Sequence, residues 1–217
     1  MKVSTDACIL GAWTPIEAHV NRVLDAGAGT GLLSLMLAQR SEGIMIDGIE
    51  LDENAAMQAK GNVAASAWAE RINIVQADIR NYVFHEKYDL IICNPPFFIN
   101  SLLGDREERN NARHTLTLSY EDILALFEKA LSEDGYASVL LPSPEYEVWK
   151  TLLSRNGWFI NRVLLIKPRE NMKANRVVSL CSRKASNVLE EELIIYKETN
   201  RYTKAATQLL SPFYLNL

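Results

Sequence analysis

Short aliphatic runs alternate with helical stretches from Arg22 to Arg155, and that alternation is what most constrains the fold. Strands separated by helices come back parallel, so an α/β domain around a mainly parallel sheet is expected. Strands are read at Arg22–Asp25, Ile44–Glu50, Ile72–Gln76, Tyr88–Cys93 and Tyr136–Leu141. The intervening helices are Leu32–Arg40, with Leu32, Leu33, Met36 and Leu37 on one face, the alanine-rich Glu53–Ala67, the amphipathic Glu121–Leu131 stopped near Gly135, and Glu145–Arg155 ended by Gly157. After Gly157 the pattern changes. Phe159–Ile166, Val177–Cys181 and Glu191–Tyr196 read as strands without full helices between them, so neighbouring antiparallel strands are expected, then a short helix over Tyr202–Leu210. With 217 residues and no linker, a single domain over 1–217 is expected.

Composition excludes several classes. Acidic residues outnumber basic ones by 27 to 23. That argues against a protein coated in nucleic acid and leaves room for a local basic patch. Cys8, Cys93 and Cys181 are far apart, odd in number and set among aliphatic residues, as buried free thiols are. No CxxC or Cys/His cluster suggests a metal, so none is expected. No run approaches the ~18 apolar residues of a membrane span. Met1-Lys2-Val3-Ser4-Thr5-Asp6 lacks a signal-peptide layout, so a cytoplasmic protein is expected.

The strongest local signal is Val23-Leu24-Asp25-Ala26-Gly27-Ala28-Gly29-Thr30-Gly31, a strand ending in an acid and alternate glycines opening a helix. Glycines permit a sharp turn and close approach to a ligand. The spacing is G-x-G-x-G, with Leu32 where the nicotinamide fingerprint needs glycine, and it suits a ligand without pyrophosphate. The second strand ends Ile49-Glu50-Leu51-Asp52, where an acid can accept from both ribose hydroxyls. The third is followed by Gln76-Ala77-Asp78-Ile79, where a carboxylate can accept from an adenine amino group. Asp52 reads as a cap for the helix that follows. The acids would line the carboxyl edge of one sheet, where open α/β sheets bind ligands.

The fourth strand runs directly into Asn94-Pro95-Pro96-Phe97. Two prolines fix the backbone and remove two amide donors, leaving carbonyls to face a substrate. Asn94 adds a side-chain oxygen and Phe97 a flat apolar surface. Such a corner suits an amino group on a planar ring, whose lone pair is delocalised and weakly nucleophilic. If the Asn94 oxygen and the Pro95 carbonyl accept its two hydrogens, the lone pair points at a sulfonium methyl in near-attack geometry. Charge growing on nitrogen is stabilised by the same oxygens, and Phe97 can stack on the base. No strong general base is needed before transfer.

At these residues the chain resembles the class I methyltransferases, in their N-P-P-F/Y amino-methylating branch. It resembles more closely the bacterial tRNA adenine-N6 methyltransferases, through 2–6, Gly11-Ala12-Trp13, Asp25–Gly31, Ala55–Ala59, Ala69–Asn73, Ala112-Arg113-His114-Thr115 and Phe213-Tyr214-Leu215. Members of that family act on the adenosine beside the anticodon of a valine tRNA. The resemblance implies a Rossmann-like seven-stranded sheet whose last strands form a hairpin. It implies S-adenosyl-L-methionine held by Asp25, Gly27, Gly29, Glu50 with Leu51, Asp78 with Ile79, and Asn94. The base would meet Asn94, Pro95 and Phe97. Lys2, Thr5 and Trp13 match the segment that folds over the cofactor; for Trp13, packing and cofactor contact both stand. Family members carry a further stretch before the segment matching Lys2. A truncated reading frame or a shorter lid would each account for its absence here.

Two segments are candidates for holding RNA. Arg162, Lys167, Arg169, Lys173, Arg176, Arg183 and Lys184 face one acid, Glu170, over the same stretch, and Arg169, Lys173 and Arg176 are the expected phosphate contacts. Arg106, Arg109, Arg113 and His114 follow the catalytic turn, where Arg113 and His114 would grip the flipped nucleotide's neighbours. The rival readings are a glutamine side-chain amide of a release factor, an adenine in DNA or a guanine in ribosomal RNA as acceptor, and a non-catalytic cofactor- or RNA-binding module.

Overall fold

The computed structural model describes residues 4–95, 118–198 and 201–215. In chain order the elements are α1 (Thr5–Trp13), β1 (Arg22–Ala26), α2 (Leu32–Arg40), β2 (Met45–Glu50), α3 (Glu53–Ala64), β3 (Ile72–Gln76), β4 (Tyr88–Cys93), α4 (Tyr120–Ala130), β5 (Leu131–Pro142), α5 (Ser143–Arg155), β6 (Phe159–Lys167), β7 (Arg176–Ser182), β8 (Leu189–Ile194) and α6 (Lys204–Leu210).

One sheet holds every strand of the described residues, in the order β3-β2-β1-β4-β5-β7-β6-β8. All run parallel to β1 except β7, which is antiparallel to both β5 and β6. The chain builds outward from β1 to β3 and then returns to place β4 on the other side of β1. That reversal opens a crevice outside the carboxyl ends of β1 and β4. Central strands bury both faces, as a sheet covered by helices must. Val23, Leu90 and Ile92 point into the core under α1, α2, α3 and α6. Leu24, Ile91 and Cys93 point into the core under α4 and α5, around Phe127 and Trp149.

The sheet has eight strands where the resemblance implied seven. The additional strand, β8, pairs parallel with β6 from Arg162↔Leu189 to Lys167↔Ile194. The antiparallel character expected at this end resides in β7 alone. Cys8, Cys93 and Cys181 are buried and unpaired, as read. Among the described residues no helix is long and apolar enough to cross a membrane.

Helix α1 was not anticipated, and its burial explains why. Ala7, Cys8, Ile9, Leu10, Gly11 and Trp13 are all buried, so the segment has no polar face and no 3.6-residue alternation to read. Ser4 caps it by accepting from the Ala7 amide, and the Arg40 guanidinium closes the far end on the Gly11 and Thr14 carbonyls. Helix α3 stops at Ala64, short of Ala67. There the Ser66 hydroxyl donates to the Val63 carbonyl and accepts from the Trp68 amide, turning the chain. Strand β5 starts early at Leu131, through an irregularity between the pairs Tyr88↔Leu131 and Leu90↔Tyr136 that contains Gly135.

Candidate active site

The glycine turn sits where β1 and β2 end together. The Gly27 and Ala28 amides donate to the Ile49 carbonyl, at 2.9 and 3.0 Å. Gly27 has φ 79°, which a side chain would strain, and a methyl group there would project into open space. The turn therefore presents bare backbone to the crevice. From the other side, Cys93 lies opposite Ala26 in the register, so Asn94 follows beside Gly27.

Asp25 lies beneath the turn and is fully buried. Its Oδ2 accepts from the Ser34 amide at 3.0 Å and the Ser34 hydroxyl at 2.6 Å. Ser34 is in the first turn of α2, whose N-cap, Gly31, offers no side chain to satisfy the free amides. Asp25 supplies that acceptor from a neighbouring strand and places its charge at the helix N-terminus. Its Oδ1 is buried with no partner. Burial pushes the carboxyl up to about 6; the Ser34 bonds hold it back and Glu50 adds to the rise. Next to it, the Cys93 thiol is pushed up to about 12 by burial and then by Asp25, so it is a neutral neighbour within the core.

Glu50 closes β2 with one oxygen accepting from the Gly29 amide at 2.7 Å and the other from the Asp52 amide at 2.8 Å. Each carboxylate oxygen retains a lone pair, so two ribose hydroxyls can still be received. Leu51 is half-buried beside it, and Asp52 is the N-cap of α3, accepting from the Ala55 amide. Asp78 is not a free acceptor. Arg80 chelates it, with Nε at 2.9 and 3.1 Å from the two oxygens and Nη2 at 2.7 Å from Oδ2. That contact holds the Asp78 carboxyl below its usual range. An adenine amino group reaching Asp78 must share it with Arg80. Ile79 packs in the core against the α4 and α5 side of the sheet.

Asn94 follows β4, with its Oδ1 buried and without a hydrogen-bond partner among the described residues. An unsatisfied buried amide oxygen costs on the order of 1–3 kcal/mol, a cost that a donor arriving from a substrate would relieve. Pro95 beside it is buried. Phe97, Lys2, Arg113 and His114 lie outside the described residues, as do Arg106 and Arg109.

Asp25, Gly27, Gly29, Glu50, Asp78 and Asn94 thus share one edge of the sheet. Thr5, the first residue of α1, is half-buried and hydrogen-bonded toward Tyr196 and Tyr214. Trp13 is not part of the crevice. It stacks with the Arg162 guanidinium at 4.8 Å and donates to Glu191 at 3.4 Å, over β6 and β8. Of its two open roles, this is packing. The basic run is also changed by its partners. Arg162 pairs with Glu191, Lys167 with Glu192, Arg176 with Asp6, Arg183 with Glu128 and Lys184 with Asp134. Arg169 and Lys173 remain exposed in the β6–β7 loop. Ser34 and Arg80 escaped the sequence reading. Arg80, two residues after a strand-end acid, carried a local signal, whereas Ser34 carried none.

Comparison with known proteins agrees with this geometry. The family model described as "Methyltransferase small domain" matches residues 13–112. A Yersinia pseudotuberculosis protein named tRNA1(Val) (adenine(37)-N6)-methyltransferase is 40% identical over 219 residues, covering 100% of this chain and 86% of the relative. A predicted O-methyltransferase from Agrobacterium tumefaciens superposes with a TM-score of 0.73 at 19% identity, over 95% of each chain. A Thiobacillus denitrificans methyltransferase solved with S-adenosyl-L-homocysteine gives 0.52 at 20% identity, over 74% of this chain and 66% of that one. These structural likenesses establish a class I methyltransferase fold. The full-length identity goes further: the chain belongs to the family of tRNA1(Val) (adenine(37)-N6)-methyltransferases.

Proposed function

We propose that this protein transfers the methyl group of S-adenosyl-L-methionine to the N6 amino group of an adenine in tRNA, at adenosine 37 beside the anticodon of a valine tRNA. The whole chain serves as one methyltransferase domain, working in the cytoplasm where its substrate is. The observation that carries the reading is the Oδ1 of Asn94 just after β4, beside the glycine turn, buried and unpartnered among the described residues. Family membership supports the choice of tRNA and of the adenine amino group.

The crevice fits the cofactor: Gly27 opens onto free space, Glu50 offers two oxygens at its rim, and the buried Oδ1 of Asp25 lacks a donor among the described residues. Bound there, S-adenosyl-L-methionine supplies an electrophilic methyl group on a positively charged sulfur. Glu50 would receive its ribose hydroxyls and Asp78 its adenine amino group, with Leu51 and Ile79 on either side of the ring. On the substrate side, Asn94 Oδ1 accepts one N6 hydrogen and the Pro95 carbonyl the other. The nitrogen lone pair is thereby withdrawn from the ring and aimed at the methyl group. The same two oxygens stabilise positive charge as it grows on N6, and the proton then leaves to water. Phe97 stacks on the base. Arg113, His114, Arg169 and Lys173 are assigned to the RNA; Arg176, expected there as well, is held by Asp6.

The test is methylation of a valine tRNA transcript by the purified protein, read by nucleoside mass spectrometry. One N6-methyladenosine is expected, abolished when adenosine 37 is replaced by guanosine. Asn94→Ala should lower turnover by about 100-fold or more while cofactor affinity stays within a few-fold. A wild-type protein that leaves every tRNA unmodified, or an Asn94→Ala variant with full turnover, would sink the assignment.

A further inference from the structure

Most cations of the β6–β7 region are paired within the fold, whereas those at the β8–α6 connection are not. Five of the basic residues between Arg162 and Lys184 are held by Glu191, Glu192, Asp6, Glu128 and Asp134. By contrast Lys197, Arg201 and Lys204 are exposed and have no ion-pair partner among the described residues. Lys197 and Arg201 lie in the turn between β8 and α6, and Lys204 opens α6. The Lys197 amide donates to the Arg201 carbonyl at 2.8 Å, which brings these two side chains to the base of one turn.

That turn is welded to the β6–β7 loop. The Ile195 amide donates to the Lys167 carbonyl and the Tyr196 amide to the Pro168 carbonyl, both at 2.9 Å. Thr203 ties the returning chain to β8, its amide donating to the Ile195 carbonyl and its hydroxyl to the Ile194 carbonyl. Because β6 and β8 run parallel to β4, both loops stand on the sheet edge that carries Asn94. β8 is four strands from β4, about 19 Å at ordinary strand spacing. Lys204 supplies a separate hint. It is the first residue of α6, where a cation opposes the helix dipole and costs a few tenths of a kcal/mol, so helix stability does not account for it. Glu170 and Glu198 are the acids exposed on the same two loops.

We propose that Lys197, Arg201 and Lys204, together with Lys173, form a phosphate-binding ridge that grips the tRNA backbone a few nucleotides from the base held at Asn94. The inference rests on the tRNA reading above. In a chain of net charge −4, long-range attraction to RNA is weak, so a local cluster of unpaired cations has to supply the contact. Each phosphate neutralised releases counterions and steepens the dependence of affinity on salt.

The experiment measures tRNA affinity by fluorescence anisotropy across a salt series, for the wild type and for the triple variant Lys197→Gln, Arg201→Gln, Lys204→Gln. The triple variant should bind at least about tenfold more weakly at low salt, with the slope of log affinity against log salt reduced by about 2. Its turnover at saturating tRNA and its affinity for S-adenosyl-L-methionine should match the wild type, which also shows that it is folded. A control variant, Lys60→Gln, Lys150→Gln, Arg155→Gln, removes three exposed cations elsewhere and should bind tRNA as the wild type does. Unchanged affinity and slope in the first variant, or an equal loss in the control, overturns the ridge while wild-type methylation still upholds the function. Absence of any tRNA methylation by the wild type would instead remove the function on which the ridge rests.

Discussion

A carboxyl sealed beneath a glycine turn, as Asp25 is, gives up its proton less readily than a free one, and that difference is measurable. Burial pushes its carboxyl up to about 6, well above the ordinary aspartate range. The folded state therefore holds the proton more tightly than the unfolded chain does. This group's stabilising contribution is complete below about pH 4 and is lost as pH rises through about 6, a difference on the order of 3 kcal/mol. Asn at this position removes the ionisation while keeping an oxygen for Ser34. Urea unfolding of wild type and Asp25→Asn should show the wild type losing stability relative to the variant between pH 4 and pH 7. Parallel profiles would mean that Asp25 does not ionise within the fold. The acids themselves were legible in the sequence, because each follows a strand and the edge of a parallel sheet is a fixed address. Their partners were not. Ser34 meets Asp25 only through the phase of α2, and Arg80 turns back on Asp78 through a contact that no periodicity encodes.

Strand β2 shows how an element constrains the crevice from behind. Gly48 sits in its middle, opposite Asp25 on β1 and Ile74 on β3. A methyl group there would stand 2.7 Å from Ile74 Cδ1 and 3.1 Å from the Ala28 Cβ. The Ile74 contact can relax by a rotation about its terminal bond, but Ala28 belongs to the glycine turn and moves only with the backbone. Gly48→Ala should therefore cost about 1–2 kcal/mol of stability and weaken cofactor affinity as well. Adding Ile74→Val removes Cδ1 and should recover part of the stability without restoring the affinity, read by urea unfolding and calorimetric titration. A Gly48→Ala protein with wild-type affinity would show that the turn absorbs the strain. Elements with one wet face, such as α2 and α4, were readable because their apolar residues recur at helical spacing. Helix α1 was not, since a helix buried all round has the composition of a core strand.

Over the whole molecule, the strand order explains why β8 exists. Without it, β6 would be the sheet's last strand, and Val163, Leu164 and Ile166 would run beside an open row of backbone donors and acceptors. An apolar edge of that kind pairs readily with another chain. β8 takes the edge position instead and reads Leu189-Glu190-Glu191-Glu192-Leu193-Ile194, with Glu190 and Glu192 exposed. Glu191 turns toward Arg162 and Trp13, which fastens the strand, while Glu192 pairs with Lys167. Two like charges along an outer strand repel a second copy of the same strand brought alongside. Replacing both Glu190 and Glu192 by Val keeps the β propensity of the strand and removes that repulsion. The double variant should fold, bind cofactor as before, and form dimers or larger species whose population grows with protein concentration, read by light scattering after size exclusion. If it stays as dispersed as the wild type at millimolar concentration, the charges do not guard the edge, and the Lys167 pair is the reason for Glu192.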